Sequence, residues 1–257
     1  MFDYLQTPAR QASVLRETAH RPWPVPEGTW VQAQTWDDLL FAHWRVEEES
    51  LRAIVPDEIP IDTFDGSAWL GITPFRITGF RLRGTLPVPV VSSFPEINVR
   101  TYSTIDEKPG IWFFSLDTPN RFAVEAAKRT YRLPYYHSRA SLRRRGDSVD
   151  YRNDRAGARF DATYAPHSAV TPPVAGTLEH FLTERYCLYT IHGGDVHRAD
   201  IHHPPWPLQE AEADIRENTM SPVALEDEPL LHYSARQDVV IWPLERLDES
   251  RGAAATR

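Results

Sequence analysis

Residues 94–102 read Phe94-Pro95-Glu96-Ile97-Asn98-Val99-Arg100-Thr101-Tyr102. Successive side chains of a strand point to opposite faces. Glu96, Asn98 and Arg100 therefore share one face, and Ile97, Val99 and Thr101 share the other. A face carrying Glu, Asn and Arg is either solvated or the wall of a polar cavity. The following run, Ile111-Trp112-Phe113-Phe114-Ser115-Leu116, is apolar on both faces and reads as buried. A polar face beside a buried aromatic strand fits a cavity wall, and the pattern alone leaves the two readings evenly matched. In the cavity reading, Ile97 and Val99 pack outward under helices.

Strands dominate outward from this stretch. Trp30–Gln34 and Leu39–Val46 read as strands, and so does Arg76–Leu82. Ile59–Phe64 and Ala68–Thr73 flank an Asp65-Gly66 turn in a hairpin pattern. Tyr136–Arg145, Ser148–Asp154 and Ala158–Tyr164 form a meander, Cys187–His192 and Val196–His203 a second hairpin, and Asp238–Trp242 a last strand. Four short helices are expected. They cover residues 8–20 from Pro8, 47–55 up to Pro56, 119–131, and 178–186. The third carries Phe122, Ala123, Ala126, Ala127 and Thr130 as an apolar stripe. The chain holds 22 Pro against 12 Gly, which favours many short segments over long helices. No linker divides it. The expectation is one β-rich α+β domain over 1–257, a barrel or two packed sheets, with 1–34 as an N-terminal extension and 247–257 as a frayed tail.

Composition excludes several functions. The net charge of −8 disfavours nucleic acid. One cysteine, Cys187, forbids an intrachain disulfide and a Cys-rich zinc site. No apolar run approaches the length of a membrane helix, and the N-terminus carries no basic-then-apolar signal, so the expected compartment is the cytoplasm. Glycine-rich nucleotide loops and the Gly-x-Ser-x-Gly elbow are absent. His192, His197, His202 and His203 cluster, but at spacings that match no common ligand pattern, so no metal and no cofactor is expected. Residues 139–159 are locally basic and 210–228 locally acidic; solvated faces are the ordinary reading, and a self-association or anion-binding surface is the alternative. Only Lys108 and Lys128 are available for chemistry that needs an amine. In Arg132-Leu133-Pro134-Tyr135-Tyr136-His137, strand alternation puts Tyr135 and His137 on one face, with a phenol and an imidazole for proton transfer or hydrogen bonding.

Several stretches together resemble the YqjF-like family of the acetoacetate decarboxylase-like superfamily. They are Trp36-Asp37-Asp38-Leu39-Leu40-Phe41-Ala42-His43-Trp44, Leu51-Arg52-Ala53-Ile54-Val55-Pro56, Asp62-Thr63-Phe64-Asp65-Gly66-Ser67-Ala68-Trp69-Leu70-Gly71, residues 94–102, Gly110–Asp117 and Arg132–Tyr135. The resemblance spans residues 35–245 in order. It implies a strongly bent β-barrel around a central pocket. It also places Glu96 where the decarboxylase keeps a pocket glutamate. The decarboxylase follows a proline with two lysines, the first of which forms a Schiff base; here Pro134 is followed by Tyr135 and Tyr136. Its pocket arginine has no match near Trp36 and Asp37. A tyrosine forms no imine, so acetoacetate decarboxylase activity is not expected.

The expected function is that of a small-molecule-pocket protein. One reading is an enzyme acting on a small carboxylate or carbonyl compound without Schiff-base chemistry. The alternatives are a non-catalytic binder or sensor and, below that, a merely packed pocket. In the enzyme reading Glu96 is the general acid or base and Tyr135 donates to a developing oxyanion, while Asn98, Arg100 and His137 bind substrate. The expected partner is a small molecule, with no nucleic acid and no membrane.

Overall fold

The computed structural model describes residues 2–88 and 91–247, with side chains from residue 5 onward. The expected frayed tail lies, past residue 247, outside the described residues. One long path of strands organises the chain. In spatial order β10 (Asp195–His202), β9 (Cys187–His192), β4 (Lys108–Thr118), β3 (Phe94–Ile105), β2 (Ala68–Leu82), β1 (Gln32–Val46) and β12 (Leu230–Ile241) lie side by side. β12 also pairs back with β10, through Ile201–Ile241 and His202–Val240. Closure through so few pairs makes a ring that is a bent sheet and not a regular barrel. Beyond β12 the path continues through β11 (Gln209–Asn218), β8 (Ala158–Pro166), β7 (Ser148–Arg155) and β6 (Arg139–Arg145). β13 (Glu245–Arg246) edges β10, and β5 (Tyr135–His137) adds in parallel to β4.

Two runs expected as separate strands, at 30–34 and 39–46, are one strand with a bulge. β1 carries an extra residue between Asp37, opposite Arg76, and Ala42, opposite Ile72. Asp38 takes up the distortion at φ 53°. Pro74 of β2 lies in the same unpaired interval, where its missing N–H breaks no ladder bond to β1. The bulge is clamped from outside. The Asp38 carboxylate accepts from Arg144 (2.7 Å) and from the Tyr233 hydroxyl (2.8 Å), and its carbonyl accepts from Tyr164 (2.7 Å). The expected strand at 59–64 is absent apart from a Phe64–Ser67 bridge.

The helices are α1 (Phe2–Ser13), α2 (Glu48–Arg52), α3 (Arg121–Thr130) and α4 (Leu178–Thr183). α1 begins before Pro8 and contains it, and a 3₁₀ turn, Val14–Arg16, follows. Arg10 pairs with Asp238, and Gln11 donates to Thr35 (3.1 Å), which fixes α1 on the ring. α3 is capped by Asn120, whose side chain accepts from the N–H groups of Phe122 and Ala123. The expected apolar stripe is corrected at three of its members: Val124 is the buried residue, Ala123 and Ala127 are half-buried, and Phe122 (78%), Ala126 and Thr130 are exposed. No helix among the described residues is long and apolar enough to cross a membrane.

The alternation in β3 has its expected consequence with one correction. Ile97 and Val99 do face away from the ring interior, but mainly a sheet covers them. They join a core with Leu142, Val149, Tyr151, Phe160 and Tyr164 of the meander, to which α2 contributes Leu51. Besides Arg144, five of the meander's arginines pair within the molecule, as Arg139–Asp154, Arg145–Asp150, Arg152–Asp161, Arg155–Asp117 and, to the acidic strand β11, Arg159–Glu217.

One glycine permits a close approach of two strands on the outer face of the ring. β4 and β9 run parallel through Ile111–Leu188 and Trp112–Tyr189. A Cβ on Gly110 would lie 2.6 Å from both Cys187 Sγ and a Tyr189 ring carbon, and 3.0 Å from the Cys187 carbonyl oxygen. Overpacking of this kind costs about 1–3 kcal/mol. The expected outcome of Gly110→Ala is a loss of that size in urea unfolding. An unchanged midpoint would show that β4 and β9 can move apart freely.

Candidate functional site

The ring encloses a cavity of about 100 Å³. β3 supplies Glu96, Asn98 and Arg100 to one wall, β2 supplies Thr73, Phe75 and Ile77, and β1 supplies Gln34, Trp36 and Leu39. β4 and β5 contribute Phe113, Leu116 and Tyr135, and α3 lies across the mouth with Ala123, Ala126, Ala127 and Thr130. The wall is apolar except for the polar side chains of β3 and a few neighbours. The register shift between Val99 and Arg100 leaves these three on one wall.

Glu96 is 3% exposed. The Tyr135 hydroxyl donates to its Oε2 at 3.0 Å. Burial pushes the carboxyl up to about 8, the Tyr135 hydrogen bond opposes that shift, and the Asp117 carboxylate adds to it. At neutral pH the group is therefore mainly a carboxylic acid. Because Oε2 accepts from Tyr135, the acid proton belongs on Oε1. Burial and the facing Glu96 drive the Tyr135 hydroxyl well above its ordinary range, so it stays a donor.

Arg100 is buried between two rings, with its guanidinium 5.2 Å from the Phe41 centroid and 5.9 Å from that of Tyr102. Burial raises the Tyr102 hydroxyl above its ordinary range, and the nearby Arg100 and Arg185 charges oppose that shift. No carboxylate among the described residues pairs with Arg100, and its Nε has no partner. Asn98 Oδ1 and Thr73 Oγ1, on the same cavity, are also buried without partners. Behind the arginine, His43 Nε2 lies 2.6 Å from the Tyr102 hydroxyl oxygen. Burial, then Arg100 and His232, lower the His43 imidazole well below its ordinary range, so it is neutral. The direction of that hydrogen bond follows the His43 tautomer, and His43 Nδ1 is buried without a partner. Gly71 allows this stack. It pairs with His43 on one side and Arg100 on the other, and a Cβ there would lie 3.1 Å from His43 and 3.3 Å from Arg100.

The structure thus brings Glu96, Asn98, Arg100 and Tyr135 together, but not His137. β5 has three residues, with Tyr135 opposite Leu116 and His137 opposite Thr118, at the end of β4. Parity is kept, but the strand has left the cavity by then, and His137 is exposed. The sequence reading assigned no site role to Thr73, Gln34, His43 or Tyr102. Tyr102 could have been reached by extending the same alternation two residues beyond Arg100; the others come from neighbouring strands and carry no local signal.

Neither lysine lines the cavity. Lys128 is exposed on α3, with Nζ 5.9 Å from the Tyr136 ring centroid. Lys108 is half-buried, with Nζ 5.8 Å from the Trp23 ring centroid. Of the clustered histidines, His202 Nε2 bonds the Val14 carbonyl and His203 Nδ1 the Pro204 carbonyl. Among the described residues no group of three or more His, Cys, Asp or Glu could hold a metal ion.

The fold is that of solved acetoacetate decarboxylase-like structures. The enduracididine biosynthesis enzyme MppR, complexed with pyruvate, is similar with a TM-score of 0.62 at 10% identity, over 90% of this chain and 94% of that one. An acetoacetate decarboxylase-like enzyme from Sphingomonas wittichii RW1 is similar with a TM-score of 0.59 at 14% identity, over 90% and 98%. At such identities the likeness shows the fold alone. Sequence supplies the family. Residues 33–238 match DUF2071, described as an uncharacterized conserved protein. The uncharacterized protein YqjF of Bacillus subtilis (strain 168) is 45% identical over 230 residues, covering 86% of this chain and 95% of that protein. The chain belongs to this YqjF-like DUF2071 family.

Two outcomes follow from the cavity. A carboxyl raised to about 8 in the fold, against about 4.3 when unfolded, stabilises the protein fully below pH 4.3. That contribution is lost as pH rises to about 8. Relative to Glu96→Gln, wild-type stability should fall by up to about 1.4 kcal/mol per pH unit between pH 5 and 8 and then level off. Urea unfolding of both proteins across that range checks this, and parallel curves would show Glu96 ionised in the fold. Separately, borohydride with acetoacetate should leave the intact mass unchanged, because neither lysine faces the cavity. A stoichiometric adduct that vanishes in Lys128→Ala would show that α3 turns inward.

Proposed function

We propose that the chain is an enzyme acting on a small organic carboxylate or carbonyl compound by acid–base chemistry, without a Schiff base. The observation that carries this reading is Arg100. A buried guanidinium with no carboxylate partner is costly, and an anionic ligand offsets that cost by bidentate hydrogen bonding. The unpartnered Nε, with the neighbouring Asn98 Oδ1 and Thr73 Oγ1, offers donors and acceptors to such a ligand. The pyruvate named with MppR is a ligand of the same chemical kind.

In this reading Arg100 holds the carboxylate and Asn98 orients the carbon beside it. Glu96 transfers the proton. A carboxyl near 8 is poised for both directions at neutral pH. It gives the Oε1 proton to the substrate, and the resulting carboxylate keeps the Tyr135 hydrogen bond at Oε2. It then recovers a proton from another position on the substrate or from water. Tyr135 thereby acts first on Glu96, and the oxyanion role is secondary. His43 and Tyr102 position the guanidinium from behind.

The test is exchange of carbon-bound hydrogen in deuterium oxide, followed by NMR, across three- to five-carbon 2-oxo and 2-hydroxy carboxylates. The expected result is catalysed exchange with a pH limb near 8, at least about 100-fold slower in Glu96→Gln. Arg100→Leu should lose saturation by the carboxylate. Tight binding with no exchange in any of them would make the protein a binder, and no binding at all would remove both readings.

A further inference from the structure

The cavity is too small for much more than the head of a ligand. A cavity of about 150 Å³ holds one benzene, so about 100 Å³ accommodates roughly four non-hydrogen atoms. It adjoins an apolar surface. Phe80, Phe94, Ala123 and Ala126 line both the cavity and an external groove of about 500 Å³. The groove runs between the N-terminal half of α3 and the segment after β2. Its outer walls are Leu82, Leu86, Val88, Val91 and Phe122, exposed by 57%, 53%, 59%, 38% and 78%. Among the described residues no acidic side chain lines it, and the one charged residue there, Arg81, is turned inward onto Gln11 (2.8 Å) and the Pro8 carbonyl (3.0 Å). Isolated exposed apolar side chains are ordinary, but a contiguous apolar strip marks a binding surface. On the α3 side it is the small side chains of Ala123 and Ala126 that border both the cavity and the groove.

We infer that the groove receives the aliphatic tail of the same ligand whose carboxylate is held by Arg100, so that the preferred substrate is an oxo- or hydroxy-carboxylate with a chain of about six or more carbons. This rests on the anion-binding reading above and extends it. The head-to-tail arrangement follows from the placement of charge. The cation and the unpartnered polar atoms lie at the closed end, and the apolar strip lies at the open end. A second copy of the chain docking on the strip is the competing occupant.

The experiment is calorimetric titration with straight-chain 2-oxo carboxylates of three, six, eight and ten carbons and with 1-decanol, on wild type, Arg100→Leu, Val88→Gln and Phe122→Gln. Full burial of a methylene is worth about fourfold in affinity, and half-burial in an open groove about twofold. The expected result is a two- to fourfold gain per added carbon beyond the fourth, weak binding of decanol, and loss of that gain in Val88→Gln and Phe122→Gln with three-carbon binding unchanged. Both substitutions are at exposed positions, and unaltered unfolding midpoints verify folding. Equal affinity at all lengths, or a gain that survives both substitutions, would overturn the inference and leave the anion site standing. A wild-type dimer that becomes monomeric in Phe122→Gln, with the length dependence intact, would also overturn it. No binding of any carboxylate, in wild type as in Arg100→Leu, would instead sink the anion site.

Discussion

A guanidinium enclosed by a ring of strands constrains the rest of this structure. Arg100 lies inward because strand alternation and the apolar partners of Ile97 and Val99 leave it no other face. A register slip of one residue would carry Glu96, Asn98 and Arg100 into the core against the meander, and Ile97 and Val99 into the cavity. The outer sheet therefore fixes the chemistry of the inner wall. Gly71 lets β1 and β3 bring His43 and Arg100 together across β2, and Phe41 and Tyr102 give the cation ring faces where no carboxylate is present.

Glu96 answers the same constraint differently. It shares the wall with Arg100 but is buried deeply enough to keep its proton, with Asp117 close enough to reinforce that state. A charged pair between the two would have neutralised the wall and left nothing to bind an anion. Instead an arginine without a carboxylate partner and a protonated acid share one strand. Residues 96 and 100 are four apart, about 13 Å between Cα atoms in an extended strand. Asn98, midway, bridges that distance from the same face.

The sequence was most legible where a rule of period two met a buried neighbour. The inward face of β3 followed from alternation beside an apolar strand. Tyr135 followed from the resemblance and from the run after Pro134. His137 obeyed the same parity and still fell outside, because parity says nothing about where a strand leaves its sheet. Phe122 looked like a core residue because helical periodicity cannot tell a face packed on protein from one turned to a groove. The single strand β1 was read as two because a bulge at Asp38 breaks the pattern. The ring closure by β10 and β12 joins residues some forty apart in sequence and leaves no local trace. The fold as a whole was legible chiefly through the resemblance, and the long-range pairs His43–Tyr102 and Asp38–Tyr233 were not legible at all.

The central claim is that the cavity is built around an unpaired cation that takes a carboxylate. A crystal structure grown with a 2-oxo carboxylate tests this most directly. The account expects carboxylate oxygens within hydrogen-bond distance of the Arg100 guanidinium, Nε included, with Glu96 still accepting from Tyr135. An Arg100 paired with a carboxylate of the protein itself, or a ligand seated away from β3, would contradict it.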